Sequence, residues 1–496
     1  MPPSYLLISA SVFSLLHLYR VLSHPLRRYP GPLLASLTVW YKAYYDIVKD
    51  GGFLEHLERL HGHYGPVVRI GPNELHFANP EAYGEIYYVG SKFTKDPKFY
   101  KAFDQSHSSF GLTHPGEAKR RREQLGPLFS RSAILRIEGV VQDKVDRLIE
   151  RIALESKKGP VNLFLAFRAA SMDVIMSYCF AESFDALGTP NFDHPILTSI
   201  LNSITVIWLL VYLPFVIPLV NHGPQRLLKA VVPMLKGYFD LFQHFSKRID
   251  EAWADPARLK WQDHETVFQR LLDCQDDDRP SKRSLMDEAV TLLGAGTETT
   301  GGTLTMAIYH IYSNSLVRER LRREVDLAWP DDGTDLKYRE LEKLEYLTAV
   351  IKESMRCADG VVTPMPRVVH SKATICGFDV PPQTTVSAGV TFVHRNPKLY
   401  PDPLEFRPER WLDPAMKDIE SRYFLPFSKG PRTCLGVNLA WCELYLILAH
   451  IVRKLDVEIY ETGPEDFQFR QYWLPIYRGR QMRGIITPRT SKPNTY

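Results

Sequence analysis

The chain has 496 residues, 45% of them hydrophobic, and is therefore long enough to bury a large core. Its 61 Lys and Arg residues nearly balance 57 Asp and Glu residues, and a formal net charge of +4 is too small over this length to indicate nucleic-acid binding. Six cysteines without a CxxC pair argue against a disulfide-rich secreted scaffold and against a zinc site.

The first residues predict a membrane anchor. No charged side chain occurs in residues 1–19, and Arg20, Arg27 and Arg28 follow the apolar run instead of preceding it. A secretory signal peptide, the alternative, has the opposite arrangement. The basic flank favours a cytoplasmic position for the rest of the chain. We therefore expect an anchor at 1–23, a proline-rich hinge at 24–32, one large catalytic domain at 33–486 and a polar, disordered tail at 487–496.

Two segments of the first half have informative patterns. Residues 65–77 alternate short apolar runs with Gly-Pro and Pro-Asn turns, which predicts a β-hairpin. Residues 196–220 contain no charged side chain, and a second membrane span is the obvious alternative. Because Pro214 and Pro218 would break such a helix, we expect an apolar lid that also dips into the membrane surface.

A long helix is predicted from Ser284 to about Tyr312, with Asp287 and Glu288 placed to cap its first turn. Four glycines interrupt its middle, and each is expected to cost about 0.8–1 kcal/mol relative to alanine. Some other interaction should compensate for them. They are Gly294, Gly296, Gly301 and Gly302.

One narrow face of this helix combines small residues with groups that handle protons. A rotation of about 100° per residue brings Ala295, Thr299, Gly302 and Met306 together, with Glu298 beside them. Small side chains there would let a planar cofactor or a diatomic ligand approach the helix closely. Close helix packing explains the glycines about as well, but it does not explain a carboxylate next to a hydroxyl in an apolar helix.

Charged residues recur at regular spacings in the segments that follow. A helix predicted over 341–357 places Glu353 and Arg356 at i and i+3, where they can touch each other. Both point away from the apolar stripe, so the ordinary interpretation is a surface ion pair that contributes little. Arg367 lies in a short predicted strand, and Arg410 lies in the sequence FRPERW.

Residues 427–436, FSKGPRTCLG, directly precede an apolar helix predicted over 439–455. Unpaired N–H groups and the helix dipole favour a thiolate at Cys434. Gly430 and Gly436 have no Cβ, so a flat group could lie against the backbone there. The ordinary alternative is a buried cysteine at a junction between a loop and a helix.

Together these motifs resemble the cytochromes P450. Residues 295–300 resemble the oxygen-activation motif of that family, and residues 353–356 match its ExxR element. The haem-binding signature is matched at Phe427, Gly430, Arg432, Cys434 and Gly436. The resemblance implies a mainly α fold with a small β region (α+β), in which haem b lies between the Thr299 helix and the Cys434 loop.

The resemblance also implies a role for each matching residue. Cys434 would bind the iron, and Glu298 and Thr299 would deliver protons to bound oxygen. A family helix near 119–122 supplies an arginine to a haem propionate; Arg122 is the candidate, with Arg121 as a rival, because the usual Trp or His partner is replaced by Ala118. Arg367 and Arg432 would bind the propionates too. Glu353, Arg356 and Arg410 would form a buried structural triad.

The implied function is a haem-thiolate monooxygenase that inserts one oxygen atom from O2 into a lipophilic small molecule. A terpenoid or polyketide intermediate of fungal secondary metabolism is the expected substrate, and an NADPH-dependent reductase is the expected electron donor. We expect attachment to the endoplasmic reticulum membrane with the catalytic domain facing the cytosol. Alternatives are an isomerase or dehydratase on the same fold and a non-catalytic haem sensor. The pocket is expected to involve residues 103–110, 204–212, 291–295, 361–365 and 473–475.

Overall fold

The computed structural model describes residues 23–232, 235–256, 264–275, 278–330 and 335–489. Helices account for 59% of the chain and the β-sheets are small, which confirms the predicted mainly α fold in one large domain. The predicted anchor lies outside the described residues except for Ser23, and so do residues 490–496.

The described α-helices, numbered in chain order, are α1 Leu33–Leu37, α2 Trp40–Ala43, α3 Phe53–Tyr64, α4 Pro80–Ile86, α5 Pro97–Tyr100, α6 Pro115–Leu125, α7 Arg131–Arg136, α8 Glu138–Glu155, α9 Leu163–Phe180, α10 Pro195–Ile204, α11 Ile207–Tyr212, α12 Val216–His222, α13 Gln225–Val231, α14 Leu235–Ala254, α15 Val267–Leu272, α16 Lys282–Ser313, α17 Ser315–Ala328, α18 Tyr338–Leu341, α19 Glu345–Cys357, α20 Val390–His394, α21 Met416–Tyr423 and α22 Val437–Lys454. A π-helical turn, Tyr44–Val48, follows α2.

The strands are β1 Val67–Gly71, β2 Glu74–Phe77, β3 Thr94–Lys95, β4 Val161–Asn162, β5 Arg367–Val368, β6 Ala373–Ile375, β7 Phe378–Val380, β8 Thr385–Ala388, β9 Leu455–Tyr460, β10 Phe469–Tyr472, β11 Leu474–Tyr477 and β12 Arg483–Pro488. The largest sheet has the order β1-β2-β8-β5-β3, and a second sheet has the order β4-β12-β9. Antiparallel β1 and β2 form the hairpin predicted at 65–77. The pairs β6-β7 and β10-β11 are separate hairpins.

The proline-rich segment after the predicted anchor packs against the domain. Residues Pro25–Arg28 form a 3-10 helix, and Leu26 and Tyr29 are buried in the same core as β1 and β2. A Cβ added to Gly31 would lie 2.3 Å from the carbonyl oxygen of Arg69, so only glycine fits there. Residues 24–32 are therefore attached to the sheet along most of their length.

The other end of the chain is more ordered than the sequence suggests. Strand β12 continues to Pro488 and pairs with β9, and Arg489 donates to Asp326. The expectation of a disordered tail from residue 487 is thus wrong for residues 487–489, because backbone pairing with β9 orders a polar sequence.

Helix α9 lies at the centre of the domain against α16. It is the one helix among the described residues that is long and apolar enough to cross a membrane, yet 89% of it is buried inside the protein. Its composition is explained by its position in the core.

Helix α16 begins earlier than predicted. Its N-cap is Ser281, whose side chain accepts from the backbone N–H of Ser284. Asp287 and Glu288 do not cap the helix. Their carboxylates accept from the backbone N–H groups of His107 and Ser109, and so they attach the loop after α5 to the helix.

The glycines of α16 have two different environments. A Cβ on Gly296 would lie 2.9 Å from Ile175, and one on Gly301 would lie 2.6 Å from Cγ of Arg168. Both neighbours belong to α9, so these glycines let the two helices approach closely. A Cβ on Gly294 would meet no atom within 4 Å. Close packing therefore compensates for Gly296 and Gly301, but not for Gly294.

Candidate active site

A cavity of about 650 Å³ lies between α16 and the loop that precedes α22. Each of the five segments predicted to line a pocket contributes to its wall, including Phe103, Trp473 and the apolar residues of α11. Thr299 and Cys434 both face this cavity. The structure therefore brings together two motifs separated by more than one hundred residues.

Backbone hydrogen bonds hold the loop that carries Cys434. The Cys434 N–H donates to the carbonyl oxygen of Phe427 over 2.9 Å, and the Thr433 hydroxyl donates to the same oxygen over 3.0 Å. Gly430 has a φ of +76°, and a Cβ there would lie 2.3 Å from the carbonyl oxygen of Tyr87. Gly436 is the N-cap residue of α22, with open space where a Cβ would be.

Opposing effects act on the thiol of Cys434. Burial raises the pKa of the thiol, while the backbone amide of Gly436 and the guanidinium of Arg122 lower it without reversing the shift. A metal bound at this position would deprotonate the thiol, because a coordinating thiol binds as the thiolate.

Thr299 and Glu298 of α16 occupy different environments. The Thr299 hydroxyl donates to the carbonyl oxygen of Ala295 over 2.8 Å, which leaves its oxygen lone pairs free to accept from a group in the cavity. Glu298 does not line the main cavity. Its Oε2 atom accepts from Nε of Arg168 over 2.9 Å, and its Oε1 atom is buried without a hydrogen-bond partner among the described residues.

Four cationic side chains surround one part of the cavity: Lys95, Arg122, Arg367 and Arg432. None of the four forms a salt bridge with a carboxylate of the described residues. Burial and then Arg432, Arg367 and Arg122 hold the pKa of Lys95 well below its ordinary value. Burial and Arg367 lower the pKa of Arg432 to about 10. Such a cluster of cationic groups favours an anionic ligand.

The local contacts decide between the two arginines left open by the sequence. Arg121 donates to Glu288 over 2.7 Å and to Ser284 over 2.8 Å, so it is buried in an ion pair away from the cavity. Arg122 lines the cavity within electrostatic range of Cys434. Arg122 is therefore the one placed to meet a ligand.

Arg367 and Arg432 are held by neighbours on the cavity wall. Arg367, in β5, is buried and donates to the Tyr100 hydroxyl over 3.0 Å. It is not an exposed strand residue. Arg432 donates to the backbone carbonyl oxygens of Ser109 and Leu112. These contacts direct both guanidinium groups without neutralising them.

Glu353, Arg356 and Arg410 form the predicted triad. Arg356 donates to both carboxylate oxygens of Glu353 over 2.8 and 2.9 Å, and Arg410 donates to Oε1 over 3.0 Å. All three side chains are at most 1% exposed, so the interpretation as a surface ion pair is wrong. Residues 401–411 fold over this face of α19 and bury it. Burial raises the pKa of Glu353, but the two arginines hold it below its ordinary value.

The apolar segment 196–220 forms three short helices, α10 to α12, and its side chains line the cavity. Trp208 is buried and donates from its indole N–H to the carbonyl oxygen of Gln471. The Tyr212 hydroxyl donates to Oδ2 of Asp46 over 2.6 Å. The segment is thus one wall of the pocket, fastened at two points to the rest of the domain.

A planar dianion with a central metal fits this donor set. Cys434 supplies one soft ligand atom, the four cations match two carboxylates, and the open space beside Gly436 leaves room for a flat ring. These are the features of a thiolate-ligated haem site.

Comparisons with known proteins agree with this geometry. The sequence profile described as Cytochrome P450 matches residues 30–479. The chain belongs to the cytochrome P450 family. It is a P450 monooxygenase, an oxidoreductase, and the family uses haem with a thiolate iron ligand.

Similar proteins are fungal. The cytochrome P450 monooxygenase macH of Penicillium terrestre is 33% identical over 97% of both chains. The conidiogenone synthase PchP450 of Penicillium rubens is 35% identical over 95% of this chain and 96% of that protein. The N-acetyltryptophan 6-hydroxylase ivoC of Emericella nidulans is 32% identical over 94% of this P450 and 93% of that protein.

Three residues of this P450 site were missed from the sequence. Lys95 is one, and its two-residue strand β3 pairs with β5 so that Lys95 lies opposite Arg367. Arg168 could have been found, because it is one of only two charged residues in the apolar helix α9 and so requires a buried partner. Glu443, on α22, lines the cavity, and burial raises its pKa to about 8.

Proposed function

We propose that this P450 inserts one oxygen atom from O2 into a lipophilic terpenoid or polyketide intermediate of fungal secondary metabolism. Its electrons come from NADPH through a cytochrome reductase. One observation carries the proposal: Cys434, Thr299 and four cations that have no carboxylate partner in the described part of the chain face a single apolar cavity. The alternatives on the same fold need neither a reductase nor a proton-delivering acid, whereas this chain has Glu298 beside Thr299.

The cofactor-binding roles follow from the wall of the cavity. Cys434 would supply the thiolate that holds the haem iron, and Phe427, Gly430 and Gly436 shape the loop around it. Lys95, Arg122, Arg367 and Arg432 would hold the propionates by charge-assisted hydrogen bonds. Glu353, Arg356 and Arg410 keep the segment before this loop in place.

When bound, the haem supplies the redox chemistry that activates O2. Thr299 can accept a hydrogen bond in the cavity, because its own proton is held by Ala295. Glu298 lies next to it with one carboxylate oxygen that has no hydrogen-bond partner in the part of the chain that the structure describes, and it can pass a proton toward that hydroxyl. The apolar wall formed by α10 to α12 excludes water from the other side.

The proposed substrate class follows from the lining of the pocket. One wall of the pocket is apolar. Its aliphatic side chains are Ile200, Ile204, Ile207 and Leu210, and its aromatic ones include Phe103 and Phe110. Such a surface suits an apolar carbon skeleton and offers few groups that could bind a charged one.

We further propose that the enzyme is anchored in the endoplasmic reticulum membrane by residues 1–23 and faces the cytosol. Large apolar side chains are exposed both in the N-terminal segment and in α11 to α12. Helix α11 contacts α2, so these two exposed areas are neighbours. An exposed apolar area of this kind is typical of a membrane-binding surface. Its members are Leu33, Leu34, Val39, Trp40, Tyr44, Val48, Leu209, Phe215 and Leu219.

The test is the optical difference spectrum of the reduced protein with and without carbon monoxide. We expect a strongly red-shifted Soret band in the parent and its loss in Cys434→Ser. Cys442→Ser, a buried cysteine on α22, is the matched control and keeps the band. An unshifted band in the parent would reject the thiolate assignment. Product and NADPH consumption are then compared in Glu298→Gln and Thr299→Ala, and unchanged coupling in both would reject the proton-delivery roles.

A further inference from the structure

Gln105 contributes a polar side chain to the wall of the main cavity. Its Oε1 atom accepts from the Thr291 hydroxyl over 2.8 Å, which joins the loop after α5 to α16. Its Nε2 atom donates to no described residue, and it is accessible instead of enclosed in the core. A primary amide carries two N–H donors. Gln105 therefore leaves two N–H groups at the cavity wall that no described residue accepts.

The backbone around Gln105 is held by contacts that do not involve its side chain. The Glu288 carboxylate accepts from the backbone N–H of Ser109 over 2.8 Å. Arg283 donates to both the carbonyl oxygen and Oδ1 of Asp104, the residue before Gln105. Both anchoring side chains belong to α16. The loop is therefore fixed without the Gln105 amide, and the hydrogen bond of its Oε1 atom serves to orient the N–H groups.

Other polar side chains of the cavity wall are paired within the protein. Asn221 donates to Oδ2 of Asp104 over 2.7 Å, and the Tyr238 hydroxyl donates to Oδ1 of Asn221 over 3.4 Å. The Ser203 hydroxyl donates to a backbone carbonyl oxygen over 2.7 Å. The donor atom of each of these side chains is thus engaged, whereas Nε2 of Gln105 has no partner among the described residues.

One face of α16 leads from Gln105 to Thr299. Thr291, Ala295 and Thr299 are four residues apart, and all three line the cavity. A Cβ on Gly294 would meet no atom within 4 Å, so the space in front of this turn is open. Eight residues of helix place Thr291 about 12 Å from Thr299. The open space at Gly294, which helix packing does not explain, therefore lies between a hydrogen-bond donor and Thr299.

We propose that Gln105 binds an uncharged oxygen atom of the substrate, a carbonyl or a hydroxyl, and so determines which carbon atom lies beside Thr299. This inference rests on the proposed monooxygenase function and narrows its substrate class. The substrate is an apolar molecule that carries this oxygen about 12 Å from the carbon to be oxidised. A neutral amide does not compensate for the desolvation of a carboxylate, so the oxygen is uncharged.

This requirement also places the enzyme in a reaction sequence. An unmodified hydrocarbon has no oxygen for the Gln105 amide to bind. A reaction that leaves a ketone on the carbon skeleton, or one that introduces a hydroxyl, must therefore come before this oxidation.

The first test compares two ligands with the same number of carbon atoms, methyl nonyl ketone and undecane. Each is titrated into the haem-loaded ferric protein, and its dissociation constant is read from the shift of the Soret band. We expect the parent to bind the ketone about fivefold more tightly, because one neutral hydrogen bond contributes about this much. In Gln105→Leu the preference should disappear, while undecane binds at least as tightly as in the parent. In Thr291→Val, which no longer orients the amide, the preference should lie between these two values.

The matched control is Ser203→Ala, because Ser203 lines the same cavity and its hydroxyl is already used by the carbonyl oxygen of Ile200. It should keep the preference of the parent. A purely structural role of Gln105 would weaken both ligands equally and leave their ratio unchanged. The proposal is overturned if neither ligand binds, if the parent does not prefer the ketone, or if Gln105→Leu keeps the preference.

A crystal structure of the haem-loaded protein with methyl nonyl ketone is the second test. We expect the carbonyl oxygen within hydrogen-bond distance of Gln105 Nε2 and the alkyl chain along Gly294 toward Thr299. A carbonyl oxygen at any other place would overturn the proposal.

The carbon monoxide difference spectrum separates this proposal from the proposed function. A parent that has the red-shifted band but does not prefer the ketone loses only the role of Gln105. A parent without that band loses the proposed function and the role of Gln105 with it.

Discussion

Arg168 and Glu298 form a buried ion pair that joins α9 to α16, with 2.9 Å between Nε and Oε2 and side chains only 4% and 5% exposed. Removing one partner leaves the other charge buried and unpaired. We expect Arg168→Met to lower the free energy of unfolding by about 3–5 kcal/mol. Adding Glu298→Gln should recover a large part of that loss.

The measurement for this pair is chemical denaturation of the two single variants and the double variant. Lys119→Met is the control, since Lys119 pairs with Glu123 on the surface at 3.8 Å. It should change stability by less than about 1 kcal/mol. Additive losses in the double variant would mean that the two charges do not stabilise each other.

Gly301 and Gly294 allow a matched comparison within α16. Alanine at 301 places its Cβ 2.6 Å from Arg168 and should cost about 1–3 kcal/mol through overpacking. Alanine at 294 meets no atom within 4 Å and should stabilise the helix by up to about 1 kcal/mol. The measurement is the melting temperature of each variant, compared with that of the parent, without added substrate. Shifts of the same sign would show that packing against α9 does not distinguish the two positions.

Lys95 should affect the haem-free and haem-loaded proteins in opposite directions. In the haem-free protein it is a buried cation facing Arg367 and Arg432, so Lys95→Met should raise the melting temperature. In the loaded protein the same change would remove the proposed charge-assisted hydrogen bond to a propionate and should speed haem loss about tenfold. The exposed Lys98→Met is the control. If Lys95→Met stabilises both the haem-free and the haem-loaded protein, Lys95 does not bind the cofactor.

Asp46 should make stability depend on pH. Burial raises its pKa to about 7, although Lys42 and the Tyr212 hydroxyl lower it. The folded carboxyl therefore keeps its proton up to about pH 7, whereas the unfolded one loses it near pH 4. The unfolded state binds fewer protons across this interval, so stability falls as pH rises through it, by up to about 4 kcal/mol.

The substitution Asp46→Asn tests this dependence, because an amide can still accept from Tyr212 but cannot ionise. Its gain in melting temperature over the parent should grow from about pH 5 to pH 7 and level off above that. Tyr212→Phe removes a group that lowers the pKa of Asp46 and should move the interval upward. A gain that is constant with pH would contradict the buried titration.

The sequence predicted the parts of the site that are local in the chain. Residues 295–300 and 427–436 each lie within one turn or loop, and both reach the wall of the cavity, so spacing alone reveals them. The apolar segment 196–220 was recognisable for the same reason. Lys95 and Arg168 were missed because the position of each in the site depends on a residue far away in the sequence. Lys95 lies opposite Arg367, and Arg168 donates to Glu298.

Burial was the least predictable property. The helical wheel of α19 places Glu353 opposite the apolar stripe, yet Arg407 and Trp411 donate to its carboxylate and cover it. Asp287 and Glu288 resemble capping residues, but tertiary contacts with the loop at 107–109 use both carboxylates. Periodicity describes one helix and contains no information about what folds over it.

The position of β12 between β4 and β9 also sets the order of assembly during synthesis. Its residues are synthesised more than three hundred residues after Val161–Asn162, with which they pair at the start of α9. Lys95 and Arg122 emerge more than three hundred residues before Cys434. The pocket is therefore complete only after more than three hundred residues have been added beyond its first two cations, and its apolar wall stays incompletely covered in the nascent chain over that interval.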